Sequence, residues 1–292
     1  MLRLFKAFLF RLRRDLTFRI TLFIGIGLAV FMTVLYLILE YTLNAELEEG
    51  GISIKMLTGQ GMLISSLSPA QNFGIAIPVN LISFTIIEFT HGTIRNKIIA
   101  GNSKGKIYAS LFLSGLIFSI VLIIVYATLC TLLGTIFGGF NPTDGINPTS
   151  IMNGGGNARI STQYLIRIII VSLVSYVSIS SFAVFIATLT RQIGGAIPIV
   201  IIGILFCYLF ATIVSTANLL SDSLDTLINV TRMVDPLYAQ SEQFFEVVNS
   251  ETGEMIQKMK DETFISAIIN NLVYAALFFM AGLLIFKKRD VK

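Results

Sequence analysis

About six long apolar runs divide this chain, and none carries a charged residue near its middle. An apolar run of about 20 residues matches the hydrocarbon thickness of a bilayer. The expected fold class is therefore an all-α polytopic membrane protein. The spans fall at about Phe18–Tyr41, Phe73–Ile87, Tyr108–Phe137, Tyr164–Leu189, Gly194–Thr216 and Phe264–Phe286. Ion-coupled carriers keep ionisable residues inside their spans to bind and relay the ion. Here no span carries one near its middle, so the energy for any transport is expected to come from outside the chain.

Composition supports the membrane class. Only 13% of the 292 residues are charged and 54% are hydrophobic, against about 25% charged in a soluble chain. Cys130 and Cys207 lie in separate apolar runs, which reads neither as a disulfide framework nor as a metal site. A single histidine, His91, excludes a multi-histidine metal cluster on this chain. It reads as a boundary residue rather than a proton sensor, a single histidine being thin grounds for a switch.

Lys and Arg mark the cytoplasmic side of a span. Grouping the loops alternately places 15 basic residues on one side, in the N-terminal segment, the loop after span two, the loop after span four and the tail, and 6 on the other. Both termini are thus expected on the cytoplasmic side of the membrane. The first run is too long for a signal-peptide core, and no small-residue cleavage site follows it.

Residues 1–17 are expected as an interfacial amphipathic helix. Leu2, Phe5, Leu9, Leu12 and Leu16 recur at helical spacing, with Arg3, Lys6, Arg11, Arg13 and Arg14 largely opposite. Such a helix lies with its apolar face in acyl chains and its basic face toward anionic headgroups. The alternative is a basic leader that only fixes orientation. The remainder, 18–292, forms the six-span domain, with a cytoplasmic loop at 88–107 and external loops at 138–163 and 217–263.

The sharpest local signal is Glu88-Phe-Thr-His-Gly-Thr-Ile-Arg-Asn-Lys97, followed by Gly101-Asn-Ser-Lys-Gly-Lys-Ile-Tyr108. A carboxylate stands at the membrane boundary, then Gly92. A short basic helix is expected from Thr93 to about Ala100, stopped at Gly101. Taken alone, this is either a docking element or an ordinary basic loop obeying the charge rule.

Together with the layout, these residues resemble the permeases of type-2 ABC exporters, and more narrowly those of bacitracin-resistance and lantibiotic-immunity type. The likeness in layout extends over nearly the whole chain. It implies a membrane-spanning permease subunit moving a hydrophobic or amphipathic substrate, such as an antimicrobial peptide, lipid or drug. It also implies a coupling helix that docks on an ABC ATPase subunit. Thr93, Ile94, Arg95, Asn96, Lys97 and Ile98 would make that contact. Glu88 would anchor the loop, to an arginine of the N-terminal helix or to Arg95, and Gly92 would turn it. Partners would be the ATPase, a second permease copy or homologue, and the bilayer, with no nucleic acid. No cofactor is expected on this chain; ATP and Mg would sit on the ATPase.

That division of labour agrees with what is missing. There is no phosphate-loop motif, and the glycine run Gly154-Gly155-Gly156 lacks the Lys-Ser/Thr such a loop requires. No catalytic triad, metal cluster or paired intramembrane carboxylates stand out, so the chain is not expected to be an enzyme.

Within the spans, Pro78, Asn80, Ser83, Thr85 and Pro198 are candidates for a pathway-facing or dimer-facing surface, or for packing against neighbours. The serines of span four suit close helix packing, or else a wet path. Short external helices are expected within 217–263, around Leu219, Leu220, Leu224, Leu227 and Ile228. Asn229-Val230-Thr231 matches a glycosylation sequon and is expected to be silent. The competing functions are a non-transport membrane scaffold or sensor, a secondary carrier, and a sodium-efflux permease. The uncharged spans argue against the last two.

Overall fold

In hydrocarbon a backbone must bond to itself, so apolar runs of this length become helices. The computed structural model describes residues 2–14, 16–47, 57–67, 73–140, 159–218, 245–249, 255–259 and 261–288. Its helices are α1 (Leu2–Arg14), α2 (Leu16–Leu47), α3 (Gly59–Leu67), α4 (Phe73–Thr90), α5 (Thr93–Ile99), α6 (Lys104–Gly138), α7 (Thr162–Thr190), α8 (Ile193–Asn218) and α9 (Asp261–Lys288). Four of these, α2, α6, α7 and α9, are long and apolar enough to cross a membrane. Two others, α4 and α8, carry shorter apolar stretches at Ala76–Thr90 and Ile193–Cys207. The molecule is a helical membrane protein.

Helix α7 is the central element. In its apolar window 61% of residues are buried, against 17% in those of α2 and α9, which therefore lie at the periphery. It packs chiefly on α9, α4 and α8. Its small side chains permit this close approach. Ser172, Ser175, Ser178, Ser180, Ser181 and Thr188 are all buried against protein, which is the packing alternative rather than a wet path. Ser181 and Thr188 donate to backbone carbonyls of their own helix, Val177 at 2.7 Å and Phe185 at 2.7 Å. The Ser119 and Ser180 hydroxyls lie 3.1 Å apart and join α6 to α7.

The segment between the first two spans holds α3, which sequence reasoning missed. Thr58 caps this helix by accepting the Gly61 N–H at 3.0 Å. Its next donors go to the far end of α6: Gly59 N–H to the Gly139 carbonyl at 2.9 Å, and Gln60 N–H to Phe140 at 3.1 Å. The starting donors of α3 thus bond the carbonyls of the two residues that follow α6. Glu40, late in α2, accepts the Leu57 N–H at 2.9 Å. Contact with α6 is possible because Gly134 and Gly138 have no side chains; a Cβ at Gly134 would stand 2.7 Å from Met62 Cγ and 2.8 Å from the Thr58 carbonyl. A cavity of ≈ 20 Å³ lined by Met32, Tyr36, Met62, Tyr126 and Cys130 lies in this region. It has room for about one water molecule and no cargo.

Part of the segment expected as external helices is instead strand. Among the described residues β2 (Phe245–Asn249) pairs antiparallel with β3 (Met255–Met259), and β1 (Arg159–Ile160) adds to β3 in parallel. Val247 and Val248 favour a strand over a helix. The leucines around Leu224, the sequon and the Gly154 run lie outside the described residues. Just beyond the sheet, Arg167 of α7 pairs with Asp261 of α9 at 2.5 Å, its guanidinium 5.2 Å from the Phe264 ring.

Helix α1 turns a narrower face to the protein than the periodicity suggests. Leu4 and Phe8 are buried, and α1 packs mainly on α6. Phe5 and Leu9 are half-buried, while Leu16 is 69% exposed and belongs to α2. The side chains of Leu2 and Leu12 lie outside the described residues.

Gly134→Ala is expected to destabilise the fold by roughly 1–3 kcal/mol through overpacking against α3. The check is the apparent unfolding temperature in detergent. An unchanged temperature would show that α3 is free to move away from α6.

Candidate functional site

At the end of α4, Glu88 is fully buried. The chain then reverses at Gly92, whose φ of 64° places it in the left-handed region. Nothing within 4 Å would obstruct a Cβ there, so backbone conformation, not space, is the reason for glycine. The reversal is held by Gly92 N–H to Phe89 O at 3.2 Å and Asn96 N–H to Gly92 O at 3.0 Å. Helix α5 ends in a paired C-terminal motif: Gly101 N–H bonds Ile98 O at 2.9 Å and Asn102 N–H bonds Lys97 O at 3.2 Å. Gly101 has φ 84°, the conformation this stop requires.

The reversal brings one face of α5 back onto Glu88. Its Oε2 accepts from Thr93 Oγ1 at 2.6 Å and from Lys97 Nζ at 3.1 Å. Thr93 and Lys97 are four residues apart and share a helix face. Ile94 beside them is buried, and Ile98 is half-buried. The anchor expected for Glu88 was Arg95 or an arginine of α1. Among the described residues Lys97 is an ion-pair partner of Glu88, whereas Arg95 lies off that face and is exposed; the side chains of Arg3, Arg11 and Arg13 lie outside the described residues. What α5 offers outward is Arg95, Asn96 and Ile99, and Ile99 is 74% exposed. Ile99 is absent from the set chosen by motif, although an apolar residue one turn beyond Arg95 was visible in the sequence.

Lys97 also lies under α1. Its Nζ stands 3.2 Å from the centroid of the Phe8 ring, itself fully buried. A cation held against an aromatic face in a desolvated site gains about 2 kcal/mol. The neighbouring Phe89 meets the Arg191 guanidinium at 5.2 Å and the Phe286 ring edge-on at 5.8 Å. Arg191 forms the short α7–α8 connection in a left-handed conformation, φ 54°. Phe286 continues through Tyr108 at 5.6 Å and Phe279 at 5.4 Å to Phe112 at 4.8 Å. Lys104 Nζ donates to the Lys287 carbonyl at 3.2 Å near the end of α9. The junction therefore gathers α1, α4, α5, α6, α9 and the α7–α8 turn.

The other candidates lie apart from it. Pro78 and Thr85 are buried in α4, and Ser83 is half-buried and donates to the Val79 carbonyl at 2.9 Å. Asn80 accepts from Thr21 of α2 at 2.7 Å. Pro198 is exposed on α8. His91 is exposed in the turn before Gly92. Among the described residues no three His, Cys, Asp or Glu side chains converge as metal ligands.

A family model described as a protein of unknown function, DUF2705, matches residues 20–292. The chain belongs to the DUF2705 family. The match takes in the junction apart from α1, which lies before its first residue. No curated protein and no solved structure matches the chain.

Removing one partner of a buried ion pair leaves the other charge uncompensated and costs about 3–5 kcal/mol. Glu88→Leu and Lys97→Met should each lower the apparent unfolding temperature strongly. The double variant should recover most of the loss, since an apolar replacement of the pair leaves no orphan charge. Additive losses in the double variant would show that the two residues do not act as a pair.

Proposed function

We propose that this chain is the membrane-spanning permease subunit of an ATP-driven exporter, with α5 as the element that couples it to a separate ATPase. The observation that carries this reading is the build of α5. One face is fixed to α4 by the Glu88 bonds, and the other presents Arg95, Asn96 and an exposed Ile99. An apolar residue framed by polar and cationic ones suits a protein contact. Because α5 is joined to α4 through two residues and to α6 through four, a displacement of α5 is passed to both as a rigid-body motion.

In this reading the chain supplies six spans, with both termini inside a bacterial cytoplasmic membrane. Here α4 and α8 complete the set begun by the four long helices. ATP and Mg belong to the partner, and a second permease copy or homologue completes the assembly. A hydrophobic or amphipathic cargo, such as an antimicrobial peptide or lipid, suits spans without internal charge. Self-immunity to a peptide antibiotic is the role the resemblance suggests.

Purification of the tagged chain from its native membrane in mild detergent should bring down an ATPase with a phosphate loop. Arg95→Glu combined with Ile99→Glu should reduce its stimulation by the permease at least about tenfold, as loss of two central contacts of about 1 kcal/mol or more each would do. The unfolding temperature should hold, since both side chains are exposed. Stimulation that survives the double change would sink the assignment of α5. A crosslinked preparation containing no ATPase would favour the scaffold reading.

A further inference from the structure

Helix α1 has two faces with different chemistry. Its 13 residues include five basic and no acidic side chains. Lys6 and Arg14 are exposed, as is Arg19 at the start of α2. Close by stand exposed apolar groups: Phe10 at 60%, Leu16 at 69% and Ile20 at 48%. The Arg14 guanidinium stacks 4.4 Å over the Phe10 ring. Cations beside exposed apolar rings match a bilayer interface, where rings enter the acyl boundary and cations meet anionic headgroups. The inner face is wholly different. There Leu4 and Phe8 are buried, and Phe8 covers the ammonium of Lys97 that reaches Glu88.

A helix this short is marginal by itself, so its order depends on what its two faces touch. We propose that α1 is a clamp set by anionic lipid: acidic phospholipid headgroups bind its basic residues and thereby hold Phe8 on Lys97, fixing the pose of α5. The partner is a negatively charged membrane surface. The contact it controls is the α4–α5 junction. Sparse anionic lipid loosens α1, uncovers Lys97 and leaves α5 held by Glu88 and the buried Ile94 without the Phe8 contact. This goes beyond the exporter reading by naming a regulator of the same junction. It shares with that reading the placement of α1 at the membrane surface, but its test reads α5 directly and needs no ATPase.

The test is amide hydrogen exchange of the full-length chain in nanodiscs. One set contains phosphatidylcholine alone, the other phosphatidylcholine and phosphatidylglycerol in equal parts. Peptides covering residues 93–101 should exchange more slowly in the anionic discs, by on the order of fivefold for each engaged cation. Lys6→Gln with Arg14→Gln, which alters only exposed side chains, should erase most of that difference. Phe8→Leu keeps an apolar side chain but removes the ring; it should abolish the lipid effect on α5 while α1 keeps its own. Equal exchange of 93–101 in both discs would overturn the proposal. So would a lipid effect on α5 that survives Phe8→Leu, because the signal would then bypass the ring. Inorganic phosphate added to the neutral discs should have no effect, and protection by it would overturn the membrane as the source.

Discussion

Hydrocarbon offers no hydrogen bonds, and much of this fold answers that constraint. Backbone groups are satisfied within helices. Buried hydroxyls turn back onto their own helices, as Ser110 does to Lys106 at 2.7 Å and Ser114 to Leu111 at 2.8 Å. The starting donors of α3, Gly59 and Gln60, are met by the carbonyls of Gly139 and Phe140 just past α6. Among the described residues some polar contacts cross between helices. Thr21–Asn80 and Ser119–Ser180 are such crossings, and the bundle otherwise rests on close packing made possible by serine and glycine.

The α4–α5 junction is where this economy is broken. A carboxylate buried without compensation is among the costliest features a protein can hold. Glu88 is tolerable because a tight reversal returns Thr93 and Lys97 to it, and because Phe8 covers the ammonium. Compensated in this way, the pair ties the loop to the end of α4 and leaves Arg95, Asn96 and Ile99 facing out. Apolar replacement of a buried ion pair often costs little stability, so a charged pair at this point is consistent with a site whose geometry matters more than its stability. The aromatic series from Phe89 to Phe112 then links the junction to α6 and α9.

Much of this was legible in the residues. Gly92 and Gly101 announce a turn and a stop, because only glycine takes positive φ cheaply, and α5 lies between them as expected. Other features were not legible. Glu88 has several basic residues within reach in sequence, and the choice of Lys97 depends on how the α5 face closes on α4. Helix α3 is short, and its burial comes from α6 rather than from its own periodicity. Strands β2 and β3 are defined by pairing with each other and with β1, which local propensity only weakly signals.

The sequence by itself determined the membrane class, the long apolar helices and the break points of the junction, because apolar length and glycine conformation are local properties. Tertiary structure alone decided which face of α1 is covered, which cation answers Glu88 and which side of α5 remains open. Those outcomes depend on helices far apart in the chain meeting at one place, as Phe8, Glu88, Lys97, Arg191 and Phe286 do.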